Sequence, residues 1–120
     1  MLSALASEHV QRPRNRGPLE GATNVGRYGS EGGGPYMTLW LEVRDGRITQ
    51  AAYKTYGCPA AMACGSMTCE IVKGRTVDEA LRLEPEDLIL ILGGLPEGKG
   101  DCARYAIVAL RDALDNRSEE

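Results

Sequence analysis

Four cysteines are the residues of this 120-residue chain with the clearest capacity for chemistry: Cys58, Cys64, Cys69 and Cys102. Cys58 stands directly before Pro59, and proline is favoured at a first helical position because its missing N–H would have no partner there. Asp101 is predicted to cap a later helix that begins at Cys102. Unpaired backbone donors and the positive end of the helix dipole favour a thiolate at both positions, and a thiolate binds metals or attacks sulfur. The alternative for Cys58 is a small buried residue at a strand–helix corner.

The spacing of the cysteines within the first of these helices argues against a shared site there. Cys58 and Cys69 are eleven residues apart, which is about 16 Å along a helix axis and too far for one metal ion or cluster. Cys64 and Cys69 point about 140° apart around the helix. We interpret both as core or helix-packing residues, the usual environment of a free cysteine. The remaining pair, Cys58 and Cys102, is expected to converge at one end of the domain, where the loop at residues 31–35 also arrives.

Length and composition describe an ordinary soluble domain. A chain of 120 residues is one domain by length, and 42% hydrophobic with 26% charged residues is typical of a globular protein. A net charge of −3 gives no electrostatic reason to expect nucleic acid or an anionic membrane as a partner. The start of the chain lacks the features of a secretory signal. We therefore expect a cytoplasmic protein whose cysteines are reduced thiols or metal ligands rather than disulfides.

The elements that must position the thiols follow from the hydrophobic pattern. Residues 36–43 alternate between apolar and polar, Asp45-Gly46 is a strong hairpin-turn pair, and residues 48–56 return as a second strand. A third strand is expected at residues 25–29. The period then becomes helical, and helices are predicted at residues 1–10, 59–73, 77–81, 84–92 and 102–116. This order predicts an α+β fold, with a small antiparallel three-stranded sheet and helices packed on one face.

Four segments give the chain a resemblance to a known family. They are residues 9–17 (His-Val-Gln-Arg-Pro-Arg-Asn-Arg-Gly), 54–61 (Lys-Thr-Tyr-Gly-Cys-Pro-Ala-Ala), 72–80 (Val-Lys-Gly-Arg-Thr-Val-Asp-Glu-Ala) and 95–102. With them the chain resembles the iron–sulfur cluster assembly scaffold family, the IscU or NifU N-terminal domain. The resemblance runs over about residues 9–115 of a single domain at residues 1–120. His9 belongs to the first segment and is interpreted as a capped or surface imidazole rather than a ligand.

The resemblance implies a site that holds iron, a [2Fe–2S] cluster or zinc. Cys58 matches the family's second cysteine and Cys102 its third, while Asp101 takes the place of a histidine or basic residue. Gly33 stands where the family has its first cysteine, and Pro35 where it has an aspartate. Cys58, Cys102 and Asp101 are thus the expected metal ligands. A tetrahedral zinc or a [2Fe–2S] cluster needs four ligands, so an external thiol or a second protomer in a homodimer would complete the site.

The resemblance also implies partners and leaves alternatives open. Sulfur arrives from a cysteine desulfurase, recipient apo-proteins accept the cluster, and Leu95, Pro96 and Lys99 match a loop that chaperones recognise in some members. One alternative is a partner-binding module without a cluster. Another is a sulfur relay in which Cys58 or Cys102 takes a persulfide from the desulfurase. None of these is a turnover enzyme, and the sequence carries no phosphate loop, since the glycines at residues 32–34 are not followed by Gly-Lys-Ser or Gly-Lys-Thr.

Overall fold

An antiparallel sheet of three strands in the order β1–β2–β3 forms the platform of the fold. The strands are β1 (Asn24–Tyr28), β2 (Tyr36–Arg44) and β3 (Arg47–Tyr56). The structure is a computed structural model that describes residues 4–5, 15–29, 32–95 and 98–115. The predicted helix at residues 1–10 lies outside the described residues apart from residues 4 and 5, and His9 and Pro96 also lie outside them.

The hairpin between β2 and β3 turns where the sequence predicts. Asp45 and Gly46 have φ angles of 53° and 77°, and two positive φ values are what a two-residue hairpin loop of this twist requires. Met37, Leu39 and Leu41 alternate onto one face of β2 and have no exposed surface. The predicted alternation is confirmed, and it leaves one sheet face for the helices.

Four helices follow the sheet along the described chain: α1 (Pro59–Val72), α2 (Val77–Leu81), α3 (Pro85–Ile91) and α4 (Asp101–Asp115). Thr76 and Glu79 form the predicted capping box of α2, with each side chain accepting a hydrogen bond from the other residue's backbone N–H. None of the helices in these described ranges has the length and apolar character to span a bilayer. The α+β class with an antiparallel sheet is confirmed.

The position of α4 is set by its contact with β1. The Asn24 side-chain amide donates to the carbonyl of Ala113 at 2.8 Å, and the backbone N–H of Arg27 donates to the Asp112 carboxylate at 2.9 Å. Gly26 lies between them and has no side chain to hold the helix away. The inward face of α4 is alanine-rich and fully buried, as the helical spacing predicts. This close packing fixes where the N-terminus of α4 lies.

A second close approach fixes α1 against β3. A Cβ on Gly65 would lie 2.6 Å from the Cδ2 atom of Tyr53, so the absence of a side chain lets the tyrosine ring lie against the helix. Tyr53 is 2% exposed. Both α1 and α4 therefore pack closely on the sheet at a glycine, which lies on the sheet for α4 and on the helix for α1.

Candidate functional site

Cys58 is the N-cap of α1, as the position of Pro59 predicts. Its backbone is extended, with φ −84° and ψ 169°, and its carbonyl accepts hydrogen bonds from Ala61 N at 3.0 Å and Met62 N at 3.3 Å. No side chain caps this helix end, so the first-turn donors face the thiol instead. Cys58 is partly exposed, which makes its sulfur reachable from solvent.

Cys102 is the second residue of α4, and its sulfur lies against that of Cys58. The Sγ atoms of the two residues are 3.6 Å apart, within the range of a thiol–thiolate hydrogen bond, although the residues are 44 positions apart in sequence. Cys102 is only 5% exposed. The convergence expected from the two helix N-termini is therefore present in the structure, with Cys58 partly exposed and Cys102 largely buried.

Asp101 differs from its predicted role at the start of this helix. It is the first residue of α4 rather than the cap. The reason is that the turn begins earlier: Cys102 N donates to Lys99 O at 3.1 Å, and Ala103 N donates to Gly100 O at 3.2 Å. The predicted helix at residues 102–116 thus starts one position sooner, and residue 116 lies outside the described residues.

The pKa values of the two thiols are shifted in opposite directions. Burial acts to raise the pKa of Cys58, but the backbone N–H of Ala61, the Cys102 thiol and the charge of Lys99 together lower that pKa below the value of an ordinary thiol. For Cys102, burial raises the pKa, and both the hydrogen bond to Cys58 and the Cys58 charge raise it further. Of the two thiols, Cys58 is therefore the one that loses its proton at the lower pH.

A cavity of about 200 Å³ opens beside the pair. Its walls come from the loop before β2, the start of α1 and the turn into α4, and they include Pro35, Gly57, Cys58, Lys99, Asp101, Cys102 and Tyr105. The expectation that the loop at residues 31–35 reaches this end is met by Pro35, while residues 30 and 31 lie outside the description. Gly33 is exposed and brings no ligand atom.

Asp101 lines the cavity without joining the thiols as a ligand group. Its side chain is 71% exposed, and its Oδ1 atom lies 3.7 Å from Nε of Arg104. Within the described part of the chain, no group of three or more histidine, cysteine or acidic residues has the geometry to hold a metal ion. The structure therefore brings two of the three predicted ligands together, and Asp101 would have to turn toward them.

The remaining predicted residues fall into two groups. Lys99 is exposed and contributes to the cavity wall, and Leu95 is partly buried against the core. Cys64 and Cys69 have no exposed surface, and burial raises the pKa of both thiols. The prediction that Cys64 and Cys69 are core residues is confirmed.

An aromatic pair beside the thiols was missed by sequence reasoning. Tyr105 stacks on Tyr28 of β1 with ring centroids 4.3 Å apart and planes 16° apart, and the Arg104 guanidinium lies 5.6 Å and 5.9 Å from the two ring centroids. Tyr105 forms part of the cavity wall. The available signal was its position three residues after Cys102, which puts both on one helix face. The partner on β1 had no signal in the sequence pattern.

Comparison with known proteins gives a consistent result for this fold and site. The family model described as NifU-like N terminal domain matches residues 3–119. The chain is 41% identical over 114 residues to the iron-sulfur cluster assembly scaffold protein IscU 1 of Archaeoglobus fulgidus, covering 95% of this chain and 74% of that protein. It is 37% identical over 109 residues to the iron-sulfur cluster assembly scaffold protein IscU of Aquifex aeolicus, covering 89% and 69%.

A solved structure has the same fold. The chain matches a putative iron-sulfur cluster assembly scaffold protein for the SUF system from Fervidobacterium islandicum with a TM-score of 0.74 and 18% identity, covering 93% of this chain and 95% of that one. At this level of identity the match concerns the arrangement of helices and strands. It supports the order of sheet and helices described above.

Proposed function

The chain belongs to the family of NifU-like N-terminal domains, and on that premise we propose that it is an iron–sulfur cluster assembly scaffold of the cytoplasm. Iron and sulfide are its cargo, and Cys58 with Cys102 receives them. The observation that carries the proposal is the 3.6 Å separation of two sulfur atoms at two helix N-termini, beside an open cavity. The names of relatives with 41% and 37% identity support the same role.

The donor set determines how the cargo is held. Thiolates are the ligands that iron–sulfur clusters and zinc prefer, and both need four ligands. The pair supplies two, and Asp101 supplies a third if its carboxylate leaves Arg104 and turns into the cavity. An external thiol or a second copy of the chain fills the fourth position. The cargo in this proposal is iron or a [2Fe–2S] cluster, with zinc as the alternative occupant.

The proposal includes partners that fit the same surface. A cysteine desulfurase delivers sulfur to the exposed face of Cys58, and apo-proteins receive the assembled cluster. A chaperone recognises the segment that contains Leu95, Pro96 and Lys99, of which Lys99 lines the cavity. In this role the protein carries and transfers its cargo and does not turn over a small substrate.

The test is the metal and acid-labile sulfide content of protein purified without oxygen. Wild type is compared with Cys58→Ser, Cys102→Ser and Cys69→Ala, the last a matched control in the core. Iron with sulfide in wild type and Cys69→Ala, lost in the other two variants, supports the scaffold. Zinc alone with the same pattern supports a metal site of another purpose. Absence of metal from wild type overturns the proposal.

A gain-of-ligand variant tests the ligand count. Gly33→Cys adds a thiol to the exposed loop that continues to Pro35 in the cavity wall. If the pair is limited by too few ligands, this variant should retain more iron per chain than wild type under identical purification. Asp101→Ala should retain less, because it removes the only carboxylate in the cavity wall among the described residues. Unchanged iron content in both variants would contradict the assignment of ligands.

A further inference from the structure

The Cys58–Cys102 pair has the arrangement of a reactive dithiol as well as that of a partial metal site. The two Sγ atoms are 3.6 Å apart, and a disulfide needs about 2 Å, so the sulfurs must close only about 1.5 Å. Within the described residues, each of the other two cysteines is fully buried in the core. The short gap makes bond formation between these two sulfurs the nearest covalent step open to the site.

The two thiols are not equivalent in access. Both thiols border the cavity, but Cys58 is partly exposed whereas Cys102 is only 5% exposed. A sulfur donor arriving from solvent therefore meets Cys58 first. Cys102 lies within hydrogen-bond distance of Cys58, and its low exposure makes it the poorer target for the donor.

We propose that this pair reduces a bound sulfur atom to sulfide by forming an intramolecular disulfide. This deepens the proposed function, on which it rests for the identity of the site and the delivery of sulfur. The Cys58 thiolate attacks the outer sulfur of a donor persulfide, and the donor leaves as its thiolate. Cys58 then carries a persulfide, Cys58–S–SH, in contact with the Cys102 thiol.

The second step balances within the site. The sulfur of Cys102 attacks the Sγ atom of Cys58, a bond forms between the two cysteine sulfurs, and the bond from Cys58 to the outer sulfur breaks. The outer sulfur takes both electrons of that bond and leaves as hydrosulfide, which gains the Cys102 proton to become hydrogen sulfide. Two thiol sulfurs are oxidised to a disulfide, and one sulfane sulfur is reduced to sulfide. An external dithiol reductant then restores both thiols.

The number of nearby thiols makes this reaction specific to the pair. Position 33 is a glycine and supplies no thiol. Among the described residues, Cys102 is the thiol in hydrogen-bond contact with Cys58. A persulfide on Cys58 therefore meets one internal nucleophile. A metal ion bound to both sulfurs would occupy the electron pairs that the reaction uses, so sulfide release belongs to the metal-free protein.

The experiment uses reduced, metal-free protein with no added thiol. Inorganic polysulfide is the sulfur donor. Samples are quenched with an alkylating agent over time, and trapped sulfide and intact mass are measured. Wild type should release about one more sulfide per chain than the Cys102→Ser variant, which can carry out the transfer to Cys58 but not the second step. It should also acquire a disulfide that peptide mapping assigns to Cys58 and Cys102. Cys102→Ser should instead keep the added sulfur on Cys58 as a persulfide.

Two controls separate this reaction from alternatives. Cys64→Ala should behave as wild type, because Cys64 is fully buried in the core. The rate of sulfide release per chain should not depend on protein concentration, since both thiols belong to one chain. A persulfide that persists on wild-type Cys58 without excess sulfide, or a disulfide that joins two chains, would overturn the inference. The metal analysis above uses no polysulfide, so it can fail or succeed independently.

Discussion

The closest approach between the sheet and α4 occurs at Gly26, and replacing this glycine with alanine should destabilise the protein strongly. A Cβ at Gly26 would lie 2.1 Å from the backbone N of Ala113 and 2.2 Å from the backbone O of Ala109. Both atoms belong to the helix main chain, so no side-chain rotation relieves the overlap. To restore ordinary contact, α4 would have to move away from β1 by at least about 1.3 Å at this point.

The cost of this displacement has two parts. Overpacking a well-packed interior typically costs about 1–3 kcal/mol. The same movement lengthens the hydrogen bonds from Asn24 Nδ2 to Ala113 O and from Arg27 N to Asp112 Oδ2, now 2.8 Å and 2.9 Å, each contributing about 1 kcal/mol. We therefore expect Gly26→Ala to lower the free energy of unfolding by roughly 3–5 kcal/mol, a large part of the about 5–15 kcal/mol typical of a domain.

The assay is urea unfolding followed by the fluorescence of Trp40, the single tryptophan of the chain. The matched control is Gly57→Ala, whose Cβ would meet only the Ala61 Cβ at 3.5 Å, an ordinary contact, and whose effect should stay below about 1 kcal/mol. The thermal midpoint of Gly26→Ala should fall by more than about 10 °C. If Gly26→Ala unfolds at the wild-type urea concentration, β1 and α4 do not approach this closely. The packing at Gly26 would then not be what positions Cys102.

Three further predictions concern the site and the core. Because the pKa of Cys58 is lowered and that of Cys102 is raised, alkylation of Cys58 should begin at a lower pH than that of an ordinary thiol, and alkylation of Cys102 at a higher pH. Peptide mass spectrometry across a pH series measures both reactions. Equal pH profiles for the two cysteines would contradict the asymmetry. Tyr53→Phe should leave stability unchanged or raise it by up to about 2 kcal/mol, because the Tyr53 hydroxyl is buried without a hydrogen-bond partner among the described residues; a clear loss in urea unfolding would reveal a missed partner. Thr76→Ala should cost about 1 kcal/mol by removing the α2 cap, and an unchanged unfolding midpoint would argue against the capping box.

The fold was predictable because its signals are local. The turn at Asp45-Gly46 needs two residues that accept positive φ, and the capping box at Thr76 needs a glutamate three residues later. Pro59 marks the start of the helix that follows Cys58, and the helical hydrophobic period predicts its extent. Each of these signals lies within four residues of the element that it specifies, so a single sequence is enough to read it.

The geometry of the site depends on contacts that no local pattern encodes. That Cys58 and Cys102 meet at 3.6 Å follows from how α4 packs on β1 at Gly26, a contact between residues more than eighty positions apart. The stack of Tyr28 on Tyr105 depends on the same packing. Helix polarity could place both thiols at N-termini, but only the packed structure decides which of them is buried and which is reachable. The asymmetry between the two sulfurs was for this reason not predicted.

The two proposed uses of the pair place different demands on the protein. Cluster or metal binding needs four ligands, and the described residues bring two sulfurs together while the Asp101 carboxylate lies against Arg104. Sulfide release needs only two thiols in contact, one of them reachable. The absence of a thiol at Gly33 therefore weakens metal binding, which needs four ligands, more than it weakens sulfide release, which needs two thiols. A disulfide offers no thiolate to a metal, so if both reactions occur at this site they follow an order: sulfur is delivered and reduced first, an external dithiol then opens the disulfide, and iron binds last.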